Sequence, residues 1–267
     1  MCYYNGVRVS LSEFIKLKNE EKELNIYKEM LWRPLQSGFD YGEWPIVKPS
    51  ADYSNWDIIN AEWGFIPTYL HTREQVNKFR NGYKDEKGKF HPPITTLNAK
   101  GEELLNSNKI YRDAALKRRC LIFSSGFYEW RHIYPIGKKG IPLKTAVKYP
   151  YYITLPEKEY FFVAGIWQPW VDKSTGESID TFSLITTASN SLMSSVHNSK
   201  MRQPCILTND LAEEWISNDL TEERIMKIAS HQFESKKMKA YSIDKNFKTA
   251  KEPTLAVEYE ELTPLEL

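Results

Sequence analysis

The sequence predicts an α+β fold dominated by antiparallel sheet. Short β-rich runs recur along the chain, and the breaks between them carry hairpin and loop signals rather than regular helical crossovers. Composition supplies the core. The 267 residues are 41% hydrophobic and 13% aromatic, with 8 Trp and 16 Tyr, which excludes a disordered chain. With no repeat, low-complexity tract or linker in evidence, one domain over residues 1–267 is expected.

The elements follow in order. Ser10-Leu11-Ser12-Glu13 has the Ser-x-x-Glu form of a capping box, and Leu11, Phe14, Ile15, Leu24, Tyr27 and Leu31 continue one helical face. This predicts a helix over much of 11–30. Pro34, Gly38, Gly42, Pro45 and Pro49 mark 34–50 as an irregular connection. Residues 61–66 read as a short strand stopped by Pro67. Residues 81–93 read as a loop ending in Pro92-Pro93. A break at 106–108 precedes a helix over 109–117. Residues 120–123 form a strand, 124–126 a turn and 127–131 a second strand. Residues 134–150 are a loop. Strands follow at 150–155, 160–167 and 181–187, the last two joined by a hairpin turn at 172–176. A further strand lies at 203–208. Helices cover 209–217 and 221–230, the second capped by Thr221. A strand near 237–243 precedes an acidic tail.

Charge excludes a global pull toward nucleic acid: 36 Lys and Arg face 35 Asp and Glu, a net +1. Local asymmetry remains at Lys117-Arg118-Arg119 and at Lys236, Lys237, Lys239, Lys245, Lys248 and Lys251. Each run is either solvated surface or a phosphate contact. The three cysteines, Cys2, Cys120 and Cys205, are odd in number and fit neither a disulfide framework nor a metal pattern. No metal and no cofactor is expected. The start is polar, and no apolar stretch approaches the roughly 18–20 residues of a membrane span. A soluble, cytoplasmic, monomeric protein that does not contact membranes is expected.

Chemistry begins at Cys2. A small second residue permits removal of Met1, which leaves an α-amine of pKa about 7.7–8.0 beside a thiol of about 8.5. The amine can condense with an aldehyde to an imine, and the thiol can close on the imine carbon to give a thiazolidine. In Thr96-Leu97-Asn98-Ala99-Lys100, Asn98 either caps backbone groups or holds a nucleophile or substrate oxygen, with Lys100 reaching a phosphate. In Gly126-Phe127-Tyr128-Glu129-Trp130, Glu129 shares a strand face with Phe127. It is either an edge residue facing water or a buried carboxylate whose raised pKa suits proton transfer. His197 sits in a polar turn between a short helix and a strand, where it is either solvated or an acid/base near neutrality. Arg202 can face a phosphate.

In combination these motifs resemble the SRAP family, the SOS-response-associated, peptidase-like proteins that process abasic sites. The resemblance rests on Met1-Cys2, Glu62-Trp63-Gly64-Phe65-Ile66-Pro67, Leu97-Asn98-Ala99-Lys100 and Arg118-Arg119-Cys120-Leu121-Ile122. Ser125-Gly126-Phe127-Tyr128-Glu129-Trp130 and the His197 turn ending in Met201-Arg202-Gln203-Pro204 complete it. It runs from residue 2 to about 208. The resemblance implies a barrel-like core of antiparallel sheets with flanking helices. It implies single-stranded DNA bearing abasic sites as partner, association with the nucleoid when bound to damaged DNA, and a thiazolidine between Cys2 and the ring-opened sugar. Asn98 would position the N-terminus or sugar, Glu129 would shuttle protons, and His197 would serve as acid/base, including in reversal. The same Schiff-base chemistry is compatible with a weak lyase activity.

The chain departs from the family in four places. Tyr3-Tyr4 stands for Gly-Arg, Lys100 for Arg, and Phe123-Ser124-Ser125 for the residues before Gly-Phe-Tyr. The His turn is longer than the family's His-Asp-Arg-Met-Pro, which affects the register of Met201 and Arg202. A DNA channel needs cations and flat rings. Lys100, Arg118, Arg119, Arg131 and Arg202 are candidates for the first, Trp63 and Trp130 for the second. Two competing readings stand beside this one. One is an N-terminal-nucleophile thiol peptidase or amidase using Cys2, His197 and Glu129. The other is a non-catalytic DNA-binding scaffold in which Cys2 is incidental.

Overall fold

The computed structural model describes residues 2–17 and 20–265. Met1 therefore lies outside the described residues, as do two residues of the 11–30 segment and the last two of the tail.

Five strands close into a ring: Glu43–Pro49, Trp56–Trp63, Ser178–Ala188, Phe161–Val171 and Arg119–Ser124. Four of its five seams are antiparallel; Ser178–Ala188 runs parallel to Trp56–Trp63. Ser178–Ala188 also carries Asn98–Lys100 as a parallel neighbour and Arg202–Pro204 as an antiparallel one. A second, five-stranded sheet runs in the order Lys239–Ser242, Val147–Thr154, Gly126–Ile133, Tyr4–Arg8, Trp32–Ser37. Among the described residues five short α-helices, Arg73–Asn81, Arg112–Lys117, Ser191–Val196, Asn209–Trp215 and Glu222–Ala229, flank the sheets. The α+β class and the barrel-like core match the expectation.

The ring explains why its strands read as apolar runs rather than alternation. Every residue of Arg119–Ser124 is buried, because one face looks into the ring and the other is covered. Trp44 and Trp63 meet inside at 6.2 Å, and Trp63 stacks on Phe182. The next strand, Gly126–Ile133, belongs to the other sheet, so Ser125 is a crossing between layers rather than a hairpin turn. Asn5 pins that crossing: its Nδ2 donates to the Phe123 carbonyl at 3.2 Å, and its Oδ1 accepts from Ser124 Oγ at 2.7 Å. The N-terminal strand is thereby held against both layers, in register Tyr4↔Tyr128 and Gly6↔Gly126.

Two expectations fail. The 11–30 helix is replaced by a hairpin, Phe14–Leu17 with Glu20–Glu23, and a 3-10 turn at Asn25–Tyr27. Ile15 and Leu17 are buried while Phe14 and Lys16 are exposed, so a period of two wins over the helical one. The amides of Ser10, Leu11 and Ser12, which would open a helix, all donate to the Glu159 carboxylate. The 34–50 connection is mostly sheet, Trp32–Ser37 and Glu43–Pro49. Pro34 is accommodated because its strand is a sheet edge, beside a bulge between Asn5 and Val7. The loops are narrower than expected: Tyr83–Lys84 pairs with Phe90–His91 inside 81–93, and Val147–Thr154 starts inside 134–150. The hairpin turn at 172–176, the Thr221 cap and the late strand are present.

Candidate functional site

Cys2 lies two residues ahead of the strand Tyr4–Arg8 and is fully buried; its thiol donates to the Tyr4 carbonyl at 3.5 Å. Burial, and to a lesser degree nearby Glu129, push the thiol far above its ordinary range, so it is held as S–H. Glu129 comes from the adjacent strand and is 3% exposed, with the aromatic residues Phe127, Tyr128 and Trp130 around it along the strand. Burial pushes its carboxyl up to about 8.

The His197 turn faces Glu129 because the preceding helix, Ser191–Val196, packs on Gly126–Ile133. Asn190 caps that helix through the Met193 amide at 2.9 Å. Asn198 then clamps the turn to the strand: it accepts from His132 N and donates to His132 O, each at 2.9 Å. His197 Nδ1 lies 2.8 Å from the Arg202 carbonyl. A carbonyl only accepts, so Nδ1 carries the proton and Nε2 of the neutral ring presents its lone pair to Glu129, 3.7 Å away. Burial pushes the imidazole down to about 4. At neutral pH the pair is a carboxylic acid facing an uncharged imidazole, and not a salt bridge.

Two cavities meet here. The larger, about 480 Å³, is lined by Tyr4, Glu129, Trp130 and His197, with Lys148, Lys200 and Lys248 among its cations. The smaller, about 230 Å³, holds Asn98, Lys100, Lys109 and Tyr111. Tyr3 borders both, so the residue after Cys2 forms the partition. In the smaller cavity, Asn98 Oδ1 and Nδ2 are both buried and have no hydrogen-bond partner among the described residues. Both amide atoms are therefore available to a water or to a group bound in the cavity.

The remaining residues singled out in the sequence divide. Trp130 lines the large cavity, and Lys100 lines the small one, paired with Glu103 at 3.1 Å. Trp63 is no stacking surface: it is 1% exposed in the ring, with Nε1 donating to the Leu97 carbonyl. Arg119 is no phosphate contact, since its buried guanidinium donates to the carbonyls of Ala115, Leu116, Trp215 and Ser217. Arg131 is likewise consumed, donating to the backbone and side chain of Thr263. Arg118 donates to Gln168 at 2.8 Å and lines neither cavity. Arg202 is bidentate on Glu102 at 2.9 and 2.8 Å, so its charge is already met. Met201 is 51% exposed at the end of the His turn, in a left-handed conformation of φ 53°. Sequence reasoning missed Tyr3, Tyr4, His132, Lys148 and Lys200. The only available signal was cross-strand: His132 and Lys148 are direct partners on neighbouring strands. Among the described residues no group of three or more His, Cys, Asp or Glu is placed to hold a metal ion.

A sequence model of the SRAP family, SOS response associated peptidase, matches residues 20–250. The chain belongs to this family. It is similar to the abasic site processing protein YoqW of Bacillus subtilis strain 168, with 28% identity over 192 residues covering 72% of this chain and 71% of that one. The abasic site processing protein YoaM of the same organism is 26% identical over 192 residues, 72% and 70% of the two chains. A crystal structure of a protein from Bacteroides thetaiotaomicron superimposes with a TM-score of 0.72 at 27% identity, covering 96% of this chain and 100% of that one.

Proposed function

We propose that this protein processes abasic sites in single-stranded DNA by joining them covalently to Cys2 after removal of Met1. The observation that carries the reading is the buried Glu129–His197 pair beside Cys2, uncharged at neutral pH and open to a cavity rimmed with lysines. The names of the relatives supply the substrate class.

The chemistry balances as a condensation. The α-amine adds to C1′ of the open sugar to give a carbinolamine. Loss of one water gives the imine, and addition of the thiol S–H across C=N closes the thiazolidine. Glu129, a carboxylic acid near pH 7, can give its proton to the departing hydroxyl and take one back as the thiol attacks, which suits general acid–base catalysis. His197 Nε2 can exchange a proton with it. Asn98, with both amide atoms unspent, can hold the amine or a sugar oxygen from the far side of Tyr3. If the imine is diverted to β-elimination before the thiol closes, the result is strand cleavage, a weak lyase activity. A monomer suffices, since one chain carries every group named.

The test is a single-stranded oligonucleotide with one abasic site, incubated with protein whose Met1 removal is established by mass spectrometry. A heat-resistant adduct on a denaturing gel is expected, lost in Cys2→Ala and blocked by acetylation of the α-amine. Processed wild-type protein that forms no adduct overturns the reading.

A further inference from the structure

The basic stretch near the chain end contains one lysine whose setting differs from the rest. Lys248 Nζ donates to Tyr4 Oη at 2.7 Å. It also lies 4.5 Å from the centre of the Tyr4 ring and 5.6 Å from that of Trp130. Ring faces attract an ammonium and fix its position without cancelling its charge. The backbone beneath is anchored too. Phe247 is 1% exposed, stacked on Tyr128 at 5.0 Å, and in ring contact with both Tyr4 and Trp130. Four residues beyond Lys248, Glu252 binds Arg8 of the same N-terminal strand that carries Tyr4. The segment is thus tied across the strand at two points, Tyr4 and Arg8.

Charge accounting separates Lys248, Lys148 and Lys200 from the other cations near the site. Lys100 and Lys109 are paired with Glu103, and Arg202 with Glu102. Among the described residues, Lys148, Lys200 and Lys248 make no ion pair with a carboxylate, and all three line the larger cavity. The one carboxyl lining that cavity is Glu129, which burial keeps protonated. Three ammonium groups without counter-charge lining one cavity suit an anion that carries more than one charge.

We infer that Lys248, held in place by Tyr4 and Trp130, is a phosphodiester-binding residue of this cavity, with Lys148 and Lys200 completing a track for consecutive backbone phosphates of a single DNA strand. The inference rests on the function proposed above for its substrate, and it adds the residues that seat the strand. Tyr4 is then a positioning residue. The residue that orients Lys248 stands two positions from Cys2, and its carbonyl accepts from the Cys2 thiol at 3.5 Å. A phosphate gripped by Lys248 therefore fixes where the neighbouring sugar meets the nucleophile.

The experiment uses a labelled single-stranded oligonucleotide with a tetrahydrofuran abasic analogue, which has no aldehyde and reports binding alone. Anisotropy titrations across a potassium chloride series are run on wild type, Lys248→Met, Lys248→Arg and Tyr4→Phe. Lys248→Met keeps the stem on the rings and deletes the charge. It is expected to weaken binding about fourfold at 0.15 M salt and to lower the slope of log K against log salt by about 0.7. Lys248→Arg should restore the slope. Tyr4→Phe should retain the slope yet lose part of the affinity, because the hydroxyl acceptor is gone and the ring remains. An unchanged slope and affinity in Lys248→Met overturns the inference, as does an equal loss in Lys248→Arg. Absence of adduct with a true abasic site in wild type would overturn the parent reading instead, while the salt slopes would still decide the role of Lys248.

Discussion

His197 Nε2 faces Glu129 Oε2 across 3.7 Å with both side chains withdrawn from solvent, and burial drives the two toward neutrality from opposite directions. An ion pair at this place would need both charges desolvated, a cost that exceeds the attraction unless the geometry is ideal. At 3.7 Å the contact is too long for a hydrogen bond. The pair is better suited to moving a proton than to holding the fold.

That relationship sets a pH dependence. Glu129 keeps its proton up to about 8 in the folded state against an ordinary 4.5, so the folded state binds more protons than the unfolded one across that window. Its contribution to stability is full below about 4.5 and is lost as pH rises through 8. His197 acts in the other sense: its folded value near 4 lies below the ordinary 6.5, so its contribution is lost as pH falls from 6.5 through 4. Glu129→Gln removes the first dependence alone. Thermal melts at pH 5 and pH 8.5 should show the variant gaining on wild type by several degrees over that interval, from a linkage term on the order of a few kcal/mol. Parallel curves for the two proteins would rule out the raised carboxyl.

Asn98 offers a separation of stability from function. Two buried amide atoms without partners each cost about 1–3 kcal/mol relative to a satisfied state. Asn98→Ala deletes both, so its melting temperature should equal or exceed that of wild type. On the proposed function, adduct formation should fall at least about tenfold, because the amide proposed to orient the reacting groups is gone. A variant that is destabilised and fully active would reverse the assignment.

The residues that proved hardest to place share one cause: their partners are remote in sequence. Strands such as Arg119–Ser124 and Gly126–Ile133 were legible because apolar runs bounded by Ser and Gly report local physics. The 11–30 segment misled because its capping-box serines turn to Glu159, some 148 residues on. Arg118-Arg119 reads as one basic run, yet Arg118 closes the helix Arg112–Lys117 while Arg119 opens the next strand, and only Arg119 enters the core. In the site, Glu129 and His197 stood out as titratable residues within apolar or turn contexts. Of the cavity's cations, Lys248 lies in a basic stretch legible in the sequence, whereas Lys148 and Lys200 do not stand out, because the three come from separate segments that converge only after the sheet forms.

Arg119 gives a test of that distinction. Its four carbonyl acceptors lie at the C-terminal ends of two helices, Arg112–Lys117 and Asn209–Trp215, where backbone oxygens have no intrahelical donor. Arg119→Ala should cost about 2–4 kcal/mol in urea unfolding. Arg119→Lys should recover little of it, because an ammonium cannot span both helix ends. The salt slope of oligonucleotide binding should stay at the wild-type value in whichever variant folds. A reduced slope would return Arg119 to the DNA surface.

Gly6 sits at a close backbone approach in the strand that follows Cys2, four residues away. A Cβ built on Gly6 would lie 2.4 Å from the Pro34 carbonyl oxygen, a backbone atom of the edge strand that cannot swing aside. The opposite neighbour offers no relief, since the Gly126 carbonyl would stand at 3.5 Å. Gly6→Ala must therefore push Trp32–Ser37 outward or shift Tyr4–Arg8 along the crossing pinned by Asn5. Overpacking of this kind costs about 1–3 kcal/mol, or a melting temperature lower by roughly 3–10 °C at this chain length. The same displacement moves Cys2 relative to Glu129, so the first-order rate of adduct formation at saturating protein should drop by more than the unfolded fraction accounts for. Measuring that rate well below the melting transition separates the two effects. A Gly6→Ala protein that melts lower but reacts at the wild-type rate would show that the N-terminal residue finds its position independently of the strand behind it.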